Sequence, residues 1–154
     1  MRERKERTTA PAAMVDVGAK RVTRREAIAQ GRVILGSRAR RLLAAGALPK
    51  GDPIEPARIA GIMAAKSTPS LIPLCHNTVL DAVEVEVTPS AEGVEIEARV
   101  RARARTGVEM EALAAVAGAA LTVYDMCKAV DRAAVISDIR LIEKSGGRGG
   151  RYRR

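Results

Sequence analysis

The chain contains no Phe and no Trp, and Tyr124 and Tyr152 are its only aromatic residues among 154. Its core must therefore be built from Leu, Ile, Val, Met and many Ala. Small side chains imply closely packed elements, and association between copies as a way to gain buried area. Single-strand nucleic-acid binders stack bases on aromatic platforms, and the body of this chain offers none. No zinc-finger, KH or RRM pattern is present. There are two cysteines, Cys75 and Cys127. In a chain without export features they read as buried thiols rather than a bridge. No apolar run reaches the roughly 20 residues of a membrane span. The opening MRERKERTTA is charged and lacks the apolar stretch of a secretory signal. A cytoplasmic protein with no membrane partner is the expectation.

What is present points to a globular domain, with 47% hydrophobic and 29% charged residues. A chain of this length buries roughly 70% of its extended surface and needs no disulfide framework. The net charge of +9 is uneven: residues 1–50 carry +9, 51–98 carry −6, 99–145 carry +2 and 146–154 carry +4. A basic half and an Arg/Gly tail fit a small nucleic-acid-binding domain, and fit equally a small, highly phosphorylated ligand. Of the 27 basic residues only six are Lys. Lys50, Lys66, Lys128 and Lys144 stand out, because an ammonium can act as acid or base whereas Arg stays charged.

Residues 1–13 read as a basic flexible arm, 14–145 as one α+β domain and 146–154 as a flexible Gly/Arg tail. MVDV at 14–17 reads as a short extended piece, and residues 22–35 as an extended element. Ser37 is placed to cap a helix that ends at Gly46. Asp52 is placed to cap a second helix over about 53–66, with Pro53 at its first position. Pro69 and Pro73 then forbid a regular helix. Residues 78–88 and 94–105 alternate apolar and charged, which predicts two strands of a hairpin with a turn from Pro89 to Gly93. The acidic face of one strand can pair with the basic face of the other. Residues 109 to about 130 read as a long Ala-rich buried helix in which Gly118 allows close approach. A last strand spans Val135–Ile142. The order predicts an antiparallel sheet with helices on one face, ending in the strand–helix–strand of a ferredoxin-like unit.

Asp125 and Lys128 are three apart on the long helix and share a face. They are either an ion pair on a wet edge or an acid/base couple. Glu111 lies fourteen residues earlier, within about 40° of that face but about 21 Å along the axis. One helix can hardly bring all three to one pocket, whereas a pocket shared between subunits can. His76, the only histidine, follows a two-proline loop and is either structural or a pocket residue. Cys75, His76 and Cys127 fit no recognised zinc spacing, so no metal site is expected. In TGVEMEAL, residues 106–113, Thr106 is placed to cap the helix, and its first amides can hold an anion. Glu109 and Glu111 would repel a phosphate there.

Four stretches are specific in combination: MVDVGAK at 14–20, KGDPIEPARIAGIMAAKSTPSLIPLCH at 50–76, TGVEMEAL at 106–113, and LTVYDMCKAV with IRLIEKSGG at 121–130 and 139–147. In that order they resemble the cyclic pyranopterin monophosphate synthases, lyases of molybdenum cofactor biosynthesis. The resemblance implies a ferredoxin-like α+β fold. It implies conversion of 3′,8-cyclo-7,8-dihydro-GTP, a triphosphate-bearing cyclic purine nucleotide, into cyclic pyranopterin monophosphate with release of pyrophosphate. It implies no redox cofactor, although a divalent ion such as Mg can accompany the phosphates, and no nucleic-acid partner. It also implies a homohexamer, a trimer of dimers, with sites at subunit interfaces.

Matched by position, the resemblance makes Asp125 and Lys128 catalytic. It gives substrate binding to Lys50, Lys66, Leu74, Cys75, His76, Glu109, Met110, Glu111 and Lys144. Three positions depart from the family pattern. Pro49 stands where His is frequent, Asn77 replaces the usual Pro after the histidine, and Arg105 replaces a common Lys.

Overall fold

The structure is a computed structural model and describes residues 10–154; residues 1–9 of the expected arm lie outside the described residues. Strand β1 (Thr23–Ile34) occupies the segment read as extended. It is followed by helices α1 (Ser37–Ala44) and α2 (Ile54–Lys66) and the single turn α3 (Thr68–Leu71). Then come strands β2 (Ala82–Ser90) and β3 (Gly93–Ala104), helix α4 (Glu109–Cys127), and strands β4 (Val135–Ser145) and β5 (Tyr152–Arg153). The sheet is antiparallel in the order β2-β3-β1-β4-β5. Helices α2 and α4 pack on each other and on one face of it. This is the α+β, ferredoxin-like arrangement that the pattern predicts.

The alternation of the strands decides which face is covered. Ala27, Ala29 and Val33 of β1, Ile96, Ala98 and Val100 of β3, and Val85 and Val87 of β2 are buried under the helices. The charged residues between them line the bare face. There Arg101 of β3 pairs with Glu84 of β2, as the hairpin reading expects, while Arg99 of β3 pairs with Glu26 of β1 on its other side. Helix α4 meets the sheet with Ala112, Ala115, Val116, Ala119, Ala120 and Val123, all fully buried. It is long and apolar enough to cross a membrane, and 56% of that window is buried inside the fold. Small side chains set the spacing. A Cβ on Gly118 would lie 2.6 Å from Ala64 Cβ and 3.1 Å from the Ala60 carbonyl oxygen.

MVDV, read as a short extended piece, lies outside the sheet. Several boundaries differ from the sequence reading. Ser37 is the first residue of α1 rather than a side-chain cap. Helix α2 begins at Ile54, so Pro53, read as its first position, is the residue before it; Asp52 lies one residue further out and still accepts the Ile54 amide, at 3.1 Å. One helical turn, Thr68–Leu71, does form there, with Pro69 near its start, where a missing N–H costs nothing. The hairpin turn is only Ala91-Glu92, and Pro89 stays inside β2. β2 is an edge strand, where proline removes no ladder bond. β4 starts at residue 135 as read and runs on through Ser145. The tail, read as flexible, lays Tyr152 and Arg153 against Lys144 and Glu143 of β4.

The close α2–α4 approach has a measurable consequence. In Gly118→Ala, helix propensity favours Ala by about 1 kcal/mol, while overpacking costs about 1–3 kcal/mol. A net loss of stability is expected in urea unfolding followed by circular dichroism. Equal or greater stability would contradict the packing described.

Candidate active site

The candidate residues gather at the two ends of α4. At its C-terminal end, the turn before α2 brings Lys50 to Asp125. Lys50 Nζ donates to Asp125 Oδ2 at 2.6 Å, and Lys128 Nζ to Oδ1 at 2.6 Å. Each of the three side chains is about half exposed. The Lys128 hydrogen bond first, and the Lys50 bond second, lower the Asp125 pKa to about 2. The unit therefore presents an ionised carboxylate and two ammonium groups to solvent. It offers N–H donors and positive charge, and the carboxylate orients both.

The N-terminal end is different in kind. Glu111 is 2% exposed, and its Oε2 has no hydrogen-bond partner among the described residues. The Cys75 thiol approaches Glu111 Oε1 at 3.8 Å and the His76 carbonyl oxygen at 3.7 Å. Burial raises the Glu111 pKa, and burial raises that of Cys75 with help from the Glu111 charge. His76 Nε2 lies 2.7 Å from the Val15 carbonyl oxygen. A carbonyl only accepts, so Nε2 carries the proton and Nδ1 of a neutral ring is left as an acceptor. Lys144 Nζ lies 3.8 Å from Glu109 Oε1. Met110 and Leu74 are exposed beside this cluster in sequence.

Two expectations change here. Thr106 does not cap α4; its hydroxyl bonds that of Thr78 at 3.1 Å, and the helix starts after Val108 without a side-chain cap. Lys66 ends α2 exposed and makes no ion pair among the described residues. Arg105, one of the three departures noted above, donates to the Lys20 carbonyl oxygen at 3.2 Å. Asn77 is exposed, so its side chain does not anchor the His76 loop.

Two contributors were not visible in the sequence. One is Val15: the MVDV stretch supplies the backbone acceptor that fixes His76. The other is Arg25, whose guanidinium donates to the carbonyls of Ala104 at 3.3 Å and Arg105 at 2.9 Å. It ties β1 to the segment leading into α4, and as one arginine among many it carries no distinguishing signal.

Within one chain the two clusters do not meet. Glu111 and Asp125 are fourteen residues apart on one continuous helix, about 21 Å along its axis. A concavity of about 510 Å³ lies on the bare face of the sheet, lined by Gln30, Arg32, Glu86, Glu97, Asp138 and Arg140 among others. It contains none of the candidate residues. Among the described residues no group of three or more His, Cys, Asp or Glu is placed to hold a metal ion.

The profile of the MoaC family matches residues 14–147. The chain is 55% identical over 145 residues to the cyclic pyranopterin monophosphate synthase of Pelotomaculum thermopropionicum, covering 93% of this chain and 85% of that one. It is 58% identical over 144 residues to the enzyme of Roseiflexus castenholzii, covering 92% and 91%. It is 59% identical over 144 residues to cyclic pyranopterin monophosphate synthase 3 of Mycobacterium bovis, covering 93% and 81%.

The Lys50–Asp125–Lys128 unit predicts an unusual titration. A depressed folded-state pKa means that the interaction is present above the unfolded carboxylate's pKa, about 3.9, and is lost as pH falls through about 2. Carbon-13 NMR of the Asp125 carboxyl is expected to show a midpoint near 2. In Lys128→Ala and in Lys50→Ala it moves up, further in Lys128→Ala. A normal midpoint in the unsubstituted protein would contradict the geometry.

Proposed function

Because the chain belongs to the MoaC family of cyclic pyranopterin monophosphate synthases, we propose that its reaction is carried by the Lys50–Asp125–Lys128 unit, working with the Glu111 end of a neighbouring copy. The chain is a lyase of molybdenum cofactor biosynthesis, and its product is cyclic pyranopterin monophosphate. Its substrate is 3′,8-cyclo-7,8-dihydro-GTP. A hydroxyl of the substrate closes on its own phosphate, and pyrophosphate departs with the electron pair of the broken P–O bond. Negative charge grows on that leaving group, and Lys50 and Lys128 are the cations placed to stabilise it.

The observation that carries this reading is Asp125 held between two ammonium groups on an exposed edge. As it stands, Asp125 is too acidic to take up a proton near neutral pH. The proton donors of the unit are the ammonium groups. When a phosphate draws one lysine away, the carboxylate loses a partner and its basicity rises. That exchange couples phosphate binding to proton transfer on the ring and sugar.

The neighbouring copy enters because of distance. Asp125 cannot share a substrate with Glu111 and His76 of its own chain across about 21 Å. Exposed apolar side chains support association: Ile59 and Met63 on α2, Leu121 on α4, and Leu71 and Val79 around the His76 loop are each at least half exposed. The reading is a homohexamer built as a trimer of dimers, acting in the cytoplasm, with no nucleic acid or membrane as partner. Neither cysteine is in a disulfide.

Turnover of 3′,8-cyclo-7,8-dihydro-GTP under anaerobic conditions tests the catalytic unit. Pterin product and pyrophosphate are expected in equal amounts, with kcat falling about 10²–10⁴-fold in Asp125→Ala and in Lys128→Ala. No turnover by the folded, unsubstituted protein would overturn the reading. Sharing is tested by mixing dissociated Asp125→Ala and His76→Ala proteins and letting them reassociate. Activity above that of either parent is expected, because mixed interfaces contain one intact site. Failure of every mixture that reassembles would contradict a shared pocket.

A further inference from the structure

Glu111 is the outlier of the whole fold: the only carboxylate that is almost completely buried among the described residues. Half-buried acids elsewhere have partners for their oxygens: Glu26 has Arg99, Glu109 has Lys144 and Glu143 has Arg151, while Glu97 accepts from the Gln30 amide and Asp131 from the Gly36 and Ala133 backbone. The groups facing Glu111 are few. From the loop before β2 comes the Cys75 thiol. From its own helix comes the charge of Glu109, which β4 answers with Lys144 rather than with anything aimed at Glu111. None of these is a cation in contact with the Glu111 carboxyl. An unpaired ionised carboxylate at this depth is strongly disfavoured, and such groups hold their proton instead.

We propose that Glu111 is held as a neutral carboxylic acid whose Oε2–H is a hydrogen-bond donor reserved for the substrate, and that Cys75 is the positioning residue that fixes it. The proposal rests on the synthase reading for the identity of the acceptor and on this chain alone for the protonation state. The geometry divides the two oxygens. Oε1 faces the Cys75 sulfur at 3.8 Å and is the acceptor. Oε2 is buried without a partner, which is the condition expected of a donor whose acceptor arrives with the ligand. The pterin-forming ring of the substrate carries carbonyl and ring-nitrogen acceptors that suit such a donor. An ionised Glu111 would only accept, from the ring's N–H groups, and would repel the phosphates. The single thiol hydrogen has two acceptors within reach, Glu111 Oε1 and the carbonyl oxygen of the next residue, His76, at 3.7 Å; donation to Glu111 is what fixes the acid beside the His76 loop. Burial works in the same direction, raising the Glu111 pKa against its own backbone amide and the thiol.

Infrared spectroscopy of the full-length protein reads the protonation state without substrate. At neutral pH a protonated-carboxyl C=O band is expected in the unsubstituted protein and is lost in Glu111→Gln. Identical spectra would overturn the proposal, while turnover by the unsubstituted protein would still stand. Stability supplies a second readout. The raised acid favours folding below its unfolded pKa, about 4.3, relative to higher pH, and that advantage is lost as pH rises through the folded value. Glu111→Gln should therefore gain stability over the unsubstituted protein as pH rises. A gap between the two proteins that does not change with pH would contradict a proton held on folding. For Cys75, Cys75→Ser is expected to keep KM within about threefold. Cys75→Ala should raise KM about tenfold with kcat little changed, the loss of roughly one hydrogen bond. A Cys75→Ala protein with unchanged KM would remove Cys75 from the account.

Discussion

Everything in the site depends on how tightly α4 is seated on the sheet. The helix is fixed by alanines and valines that are fully buried against β1, β3 and α2. Its spacing from α2 is set by a glycine that leaves no room for a methyl group. A helix held this way is a rigid spacer. It holds Glu111 and Asp125 apart as firmly as it holds each in place. The lack of aromatic residues and the division of the site thus share a cause. The core is built from small side chains, so the elements lie close, and one chain keeps its two reactive ends at opposite edges.

The two ends use opposite electrostatic solutions. At the C-terminal end charge is kept in the open, and two lysines hold the aspartate ionised. At the N-terminal end the carboxyl is sunk beneath the His76 loop with a thiol beside it and no cation in contact. One end suits the phosphates and the charge of a departing pyrophosphate. The other suits recognition of a neutral ring by hydrogen bonds. A substrate that carries a triphosphate on one side and a purine-derived ring on the other asks for both, and a subunit interface is where both can meet.

Much of this was legible in the residues. The strict alternation of β2 and β3 and the long Ala-rich run of α4 each have one period and one reading. Pro89 misled because its effect depends on sheet position: a turn signal in isolation, it is harmless on the edge strand β2. The MVDV stretch read as a short extended piece, and it lends a backbone carbonyl to His76, a role no local pattern encodes. Asp125 and Lys128 were visible as an i, i+3 pair. Lys50, 75 residues away in sequence, stood out only as one of four lysines in an Arg-rich chain, and no local pattern tied it to Asp125. The Cys75–Glu111 contact was hidden because a cysteine in apolar company reads as filler, and because a glutamate in a helical first turn reads as exposed.

The central claim is that the two ends of α4 from different copies close on one substrate. A crystal structure of the assembled protein with 3′,8-cyclo-7,8-dihydro-GTP bound, in the Asp125→Asn variant to slow turnover, tests it most directly. The account predicts phosphates on Lys50 and Lys128 of one copy and the ring beside Glu111 and His76 of its neighbour. A substrate held by the residues of a single chain, with no neighbour within contact, would contradict it.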